Sequence, residues 1–109
     1  MSRYSVLFSL LLATVFSGCD ATAKSDLRSA ENVIKEADKV HAEQWAEREY
    51  RLAEAALNEG VALNRVNAIN EARDKAEEAK SWARQAIDLA IARAADMEAE
   101  KDRLGTVDR

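Results

Sequence analysis

The chain has 109 residues and a formal net charge of −4, from 20 acidic and 16 basic residues. This length accommodates one small domain, and the acidity argues against nucleic acid or an anionic membrane surface as the main partner. Proline is absent, only three glycines and one cysteine are present, and the abundance of alanine and charged residues is typical of long helices.

Residues 1–18 have the organisation of a secretory signal peptide. Arg3 supplies a positive charge, the apolar run VLFSLLLATVF extends from Val6 to Phe16, and Ser17-Gly18 form a small-residue pair. A run of about 11 residues suits a signal peptide and is too short for a membrane span, which needs about 20. We therefore predict that residues 1–18 are cleaved, leaving 15 basic and 20 acidic residues, since Arg3 is the only charged residue removed.

Cys19 directly follows this small-residue pair. A disulfide within the chain is excluded because there is no second cysteine; an intermolecular disulfide and a free thiol remain alternatives. The segment FSGC, Phe16 to Cys19, resembles the bacterial lipobox, in which the cysteine is lipidated and becomes the mature N-terminus. Several acyl chains would make such an anchor effectively permanent, whereas one holds only marginally. We predict that residues 19–24 form a short lipidated tether.

Asp20 follows the predicted lipidation site and bears on membrane sorting. In enteric bacteria an Asp at this position commonly keeps lipoproteins in the inner membrane, so Asp20 favours the inner membrane where that rule applies. The sequence leaves inner and outer membrane undecided. In both cases it predicts a periplasm-facing location in the cell envelope.

The first predicted helix runs from Ser25, as N-cap, to Glu59, with Gly60 as the stop signal. Its apolar positions recur at steps of three and four residues, which indicates one helical face. They are Leu27, Ala30, Ile34, Ala37, His41, Trp45, Leu52 and Ala56. The stripe drifts near His41-Ala42, so a break at this point is an alternative.

The second predicted helix follows a turn after Gly60, has Asn64 or Asn67 as its N-cap and ends at Gly105. Its stripe comprises Ile69, Ala72, Ala76, Ala79, Ala83, Ala86, Ala90 and Met97. Two facing stripes joined by a short turn predict an all-α fold, a long antiparallel two-helix hairpin over residues 25–109. A three-helix up-down-up arrangement with a break near Ala42 is the alternative.

Alanine dominates both stripes, and it buries little apolar area per residue. The gain from burial is therefore modest against the entropy of ordering the chain, and two helices alone would be marginally stable. We expect the hairpin to self-associate or to pack against an envelope protein partner.

Two segments carry a family resemblance. They are LRSAENVIKEADKVHAEQWAEREYRLAEAALNEG, Leu27 to Gly60, and NAINEARDKAEEAKSWARQAIDLAIARA, Asn67 to Ala94. Together they resemble a family of short, alanine-rich helical bacterial lipoproteins classified only as a domain of unknown function. The resemblance covers most of the mature chain and implies an envelope location. It implies no catalytic residues in this sequence.

The sequence offers no recognisable catalytic, metal or cofactor site. His41 is the only histidine, and Asp38 precedes it by one turn, but di-metal helical bundles need two acid-x-x-His motifs and further carboxylates. We expect His41 to occupy a half-exposed helix position. Zinc-ligand clusters, glycine-rich phosphate loops and nucleophile–base pairs are also lacking. We therefore expect a protein that is not an enzyme and binds no cofactor.

Trp45, Tyr50 and Trp82 are the aromatic residues of the predicted mature chain and the candidate interface residues. A turn centred near residue 61 would place Trp45 within about one helical turn of Trp82. The two indoles would then supply burial that alanine cannot, or one of them would anchor a partner, since Trp is enriched at binding hot spots. Tyr50 points away from Trp45 and is expected to face a partner.

These observations predict a lipid-anchored, non-enzymatic envelope lipoprotein that acts as a helical structural or adaptor element in the periplasm. The alternative is a tether between membrane and peptidoglycan that resembles the murein lipoprotein. That protein joins peptidoglycan through a C-terminal lysine, whereas this sequence ends GTVDR at Arg109. We therefore expect any contact with peptidoglycan to be non-covalent.

Overall fold

The computed structural model describes residues 22–107. These residues form four helices and no strand: α1 (Lys24–Lys39), α2 (Ala42–Trp45), α3 (Glu47–Arg65) and α4 (Ile69–Val107). The all-α prediction is confirmed. Helix α4 has 39 residues and is about 58 Å long at 1.5 Å per residue.

Helix α1 begins one residue before the predicted N-cap, Ser25. Ala23 takes the N-cap position without a side-chain cap of its own. Its backbone N–H instead donates to Oδ1 of Asn64 at 3.1 Å, across 41 residues of sequence. The sequence offered Asn64 as one of two possible N-caps of the next helix. Its side chain instead holds the start of α1 against the end of α3.

The helical conformation is interrupted between α1 and α3, so the predicted continuous helix from Ser25 to Glu59 is wrong. His41 adopts the left-handed conformation, with φ 57°, and its N–H bonds to the Asp38 carbonyl at 3.1 Å. Histidine is among the residues that tolerate this region better than most. Ala46 then departs from helical geometry with φ −140°. These two residues isolate α2 as a single turn.

The next helix stop is Asn67, six residues beyond the expected turn near residue 61. Asn67 is left-handed, with φ 62°, and its N–H bonds to the Asn64 carbonyl at 3.2 Å, while the Ala68 N–H bonds to the Leu63 carbonyl at 2.9 Å. This pair of bonds is the Schellman motif that ends helices. We call residues 65–68, which join α3 to α4, the α3–α4 turn.

Gly60 lies inside α3, contrary to its predicted role as a stop, and no glycine of the described chain has a positive φ. Its lack of a side chain is what matters. A Cβ built on Gly60 would lie 2.7 Å from Cδ2 of Leu27 and 3.3 Å from the carbonyl oxygen of Ala72. Both α1 and α4 thus approach α3 closely at Gly60.

Contacts at both ends define how the helices run. Helix α1 meets α3 through Ala23–Asn64 at one end and Asp38–Tyr50 at the other, so the two helices are antiparallel. Helix α1 also meets the start of α4, where Asp26 and Arg73 form an ion pair of 3.3 Å.

The core between these helices consists mostly of alanine. Its largest members are Tyr50, Ile34 and Leu27, which keep 6%, 7% and 8% exposure. The predicted stripe positions of α1 and the alanines of α4 up to Ala90 are buried as expected. Small side chains let the helices approach closely, but they bury little area per residue.

Candidate functional site

The predicted anchor residues, Cys19 and Asp20, lie outside the described residues, and both assignments remain predictions. The described chain starts three residues after Cys19. The sites that the structure does describe involve the end of α1, helix α2, the start of α3 and helix α4.

Helix α4 extends past the core by about 24 Å, from Ile91 to Val107, at 1.5 Å per residue. Its buried stripe ends at Ala90, but the same face continues with Ala94, Met97 and Leu104 at helical spacing. Met97 is 54% exposed and Leu104 60% exposed. The apolar stripe of α4 therefore continues beyond the part of the helix that the other described helices cover.

Trp45 lies beside this extension and completes a groove of about 580 Å³. We call it the Trp45 groove; its lining residues are Trp45, Ala94, Met97, Glu98, Glu100, Lys101 and Leu104. Trp45 is half-buried against the core, and its backbone carbonyl accepts a 2.6 Å hydrogen bond from Nη1 of Arg93. That bond fixes α2 against α4.

The chemistry of the Trp45 groove is that of a binding surface. Its walls are an indole, a thioether and aliphatic groups, and its rim carries two carboxylates and one ammonium. An apolar centre with a charged rim is the usual anatomy of a protein contact site. Trp and Met are also enriched at such surfaces.

Trp82 does not belong to this groove. It is half-buried against the core, and the guanidinium of Arg48 lies 5.7 Å from its ring centre, a cation–π contact. Trp45 instead lies beside Arg93, which is three helical turns further along α4. The sequence predicted that the two indoles lie within about one helical turn of each other, from a turn centred near residue 61, whereas the chain turns at Asn67.

Tyr50 is buried, with 6% exposure, whereas the sequence predicted a side chain that faces a partner. Its hydroxyl donates to Oδ1 of Asp38 at 2.5 Å. This hydrogen bond to a carboxylate, followed by burial, raises the pKa of Tyr50 above its ordinary value. Tyr50 acts as a clamp that joins the end of α1 to the start of α3.

His41 lies in a second, polar cleft of about 610 Å³ next to this clamp. The cleft is lined by Asp38, His41, Glu43, Gln44 and Tyr50. His41 is exposed, rather than half-exposed as expected. Residues 22–107 contain no group of three or more His, Cys, Asp or Glu side chains placed to hold a metal ion.

Sequence reasoning missed the groove residues Leu104 and Lys101, as well as Arg93. Leu104 was expected to lie where the helix ends at Gly105, whereas α4 continues to Val107. The available signal was the helical spacing that connects Ala90, through Ala94 and Met97, to Leu104. The link from Arg93 to Trp45 depends on the fold and has no sequence signal.

Comparison of the chain with protein-family models, curated proteins and solved structures found no match. Across residues 22–107, none of the helices combines the length and the apolar character that crossing a bilayer requires.

Proposed function

We propose that this protein is a lipid-anchored, non-enzymatic lipoprotein of the cell envelope that acts as a helical adaptor facing the periplasm. The anchor is an acylated Cys19, supported by the apolar run and the FSGC segment that precede the helical domain. Asp20 favours retention in the inner membrane where the enteric sorting rule holds.

The helical domain is an up-down-up arrangement of α1, α3 and α4, and not a two-helix hairpin. Supporting it are the antiparallel contacts of α1 with α3, and the ion pair between Glu59 and Lys75, at 3.0 Å, beside the α3–α4 turn. The arrangement places three alanine faces together, which adds burial that two helices lack.

The adaptor role is carried by one observation, the exposed apolar stripe of α4 beside the half-buried Trp45. A protein that acts only as a spacer gains nothing from Met97 and Leu104 at exposed positions. A hydrophobic groove about three turns long fits an apolar helix face of an envelope protein.

Site-specific photo-cross-linking in intact cells tests the adaptor role. A cross-linker at Met97 is expected to capture a discrete envelope protein, whereas the same group at Arg84, an exposed position of α4 outside the groove, captures none. Adding Trp45→Ala should reduce the Met97 product. Identical products at Met97 and Arg84 would refute the adaptor role.

The alternative, a non-covalent membrane-to-peptidoglycan tether, predicts a different result. The wild-type protein would then co-sediment with purified peptidoglycan. A cross-linker at Met97 would capture no protein, or would give a product whose yield Trp45→Ala does not change.

Fractionation of Cys19→Ala tests the lipid anchor. Loss of the variant from the membrane fraction supports the anchor, and unchanged membrane association contradicts it.

A further inference from the structure

The two ends of the helical domain differ in chemistry and in their distance from the predicted anchor. Ala23, at the start of α1, is fully buried and hydrogen-bonded to Asn64. The N-terminus of the domain is therefore held beside the α3–α4 turn. The α4 extension and the Trp45 groove lie at the opposite end.

The tether is too short to let the domain move far from the membrane. Four peptide steps separate Cys19 from Ala23, and an extended chain spans at most about 3.5 Å per residue, roughly 14 Å in total. An acylated Cys19 is therefore followed, within that distance, by the buried Ala23 and the α3–α4 turn.

The surface at this end suits a lipid headgroup layer. Val66, in the α3–α4 turn, is 72% exposed, compared with 60% for Leu104. Lys24, Arg28 and Arg65 are exposed at the same end of the domain, where they line, together with Glu31, a shallow groove of about 360 Å³ between α1 and α3.

Two of the anions near this end have cationic partners of their own, whereas Glu71 and Asp74 at the start of α4 are exposed. Asp26 is paired with Arg73, and Glu59 with Lys75. Basic side chains near a bilayer are attracted to anionic lipid phosphates over about a Debye length.

We propose that the end of the domain with the α3–α4 turn rests on the bilayer that holds Cys19, with Val66 at the headgroups and α4 pointing into the periplasm. The occupant of this surface is the lipid layer itself. The inference rests on the proposed lipid anchor and adds the orientation of the domain. It would place Gly105 about 54 Å along α4 from Ile69, at the far end from the lipid.

Depth-dependent quenching of a fluorophore tests the orientation in the mature protein. Cysteine is introduced singly as Val66→Cys, Ser81→Cys or Gly105→Cys and labelled with an environment-sensitive maleimide. The acylated sulfur of Cys19, the only native cysteine, does not react. Ser81 is exposed, and a Cβ at Gly105 meets nothing within 4 Å, so these two variants are expected to fold.

Each labelled protein is reconstituted into phosphatidylcholine–phosphatidylglycerol vesicles that carry a nitroxide on the headgroup. We expect a large loss of fluorescence at Val66, a smaller loss at Ser81 and none at Gly105. Equal losses at all three positions would mean that the domain lies flat, and the largest loss at Gly105 would mean that it is inverted; either overturns the orientation. Arg65→Cys replaces Val66→Cys if circular dichroism shows that the latter is unfolded.

A mass measurement on the same preparation separates the two proposals. An acylated chain with a flat profile would overturn the orientation and leave the lipid anchor intact. An unacylated Cys19 would overturn the anchor, and the orientation with it.

Discussion

Gly60 provides a test of the packing because two opposing effects act at this position. In an ordinary helix interior, Gly60→Ala would stabilise the protein by about 1 kcal/mol, since alanine is the better helix former. Here the added methyl group would lie 2.7 Å from Leu27 Cδ2 and 3.3 Å from the Ala72 carbonyl oxygen. Leu27 can rotate away, but it then loses its place in the core, and the carbonyl of Ala72 cannot yield easily.

Overpacking of a core typically costs about 1–3 kcal/mol, which exceeds the gain in helix propensity. We therefore expect Gly60→Ala to lower the free energy of unfolding by about 1 kcal/mol. Gly105→Ala is the matched control, because nothing lies within 4 Å of the added methyl group. It is expected to be neutral or to stabilise by up to about 0.5 kcal/mol, less than in a helix interior because it lies near a helix end.

Urea denaturation followed by circular dichroism measures both variants, and the midpoints are compared at a common slope. Leu27→Ala combined with Gly60→Ala adds a double-mutant cycle, in which the clash should appear as a coupling between the two sites. If Gly60→Ala stabilises the protein as Gly105→Ala does, and the cycle shows no coupling, α1 does not pack on α3 at Gly60.

Three further predictions concern the clamp and the α4 extension. Tyr50→Phe removes a hydrogen bond to a carboxylate and should cost about 1–2 kcal/mol of unfolding free energy in urea. Because the pKa of Tyr50 is raised in the folded state, the unfolded chain loses this proton first; the stability of the wild type should therefore fall as pH rises above about 10, and less steeply in Tyr50→Phe. Deleting residues 97–109 should change the free energy of unfolding by less than about 1 kcal/mol, since Met97 and Leu104 are more than half exposed; a larger loss would mean that the extension packs on the core.

The helical faces could be predicted because they depend only on local spacing. Leu27, Ala30, Ile34 and Ala37 share one face by their steps of three and four, and all four are buried. The alanines of α4 follow the same rule up to Ala90. A stripe of this kind specifies which side of a helix is buried, whatever partner covers it.

The points where the chain reverses could not be predicted in the same way. The sequence predicts a stop signal at Gly60 because glycine favours left-handed turns. In the fold, Gly60 instead allows a close approach between helices, which the sequence does not show. Asn67 adopts a left-handed conformation, but the same residue type lies inside α3 at Asn58 and Asn64. His41, also left-handed, is the only histidine, and the sequence indicates a break there only through the drift of the apolar stripe. Because the predicted turn lay near residue 61 and the actual turn is at Asn67, the predicted position of Trp45 along α4 was also shifted.

The candidate site was predictable in part. Trp45 was identified from residue type alone, since large aromatic residues are scarce in an alanine-rich chain. The other wall of the groove depends on how far α4 continues, and Leu104 and Lys101 were therefore missed. Tyr50 shows the limit of this reasoning: its angle relative to Trp45 suggested exposure, but the break at His41 brings Asp38 over its hydroxyl.

The lipid anchor at Cys19 can be tested by the intact mass of the protein purified from membranes, with Cys19→Ala as the comparison. We expect a mature chain that starts at Cys19 and carries several acyl chains, and a variant that lacks them. An unprocessed chain, or a mature chain without acyl groups, would mean that Cys19 is not a lipid anchor.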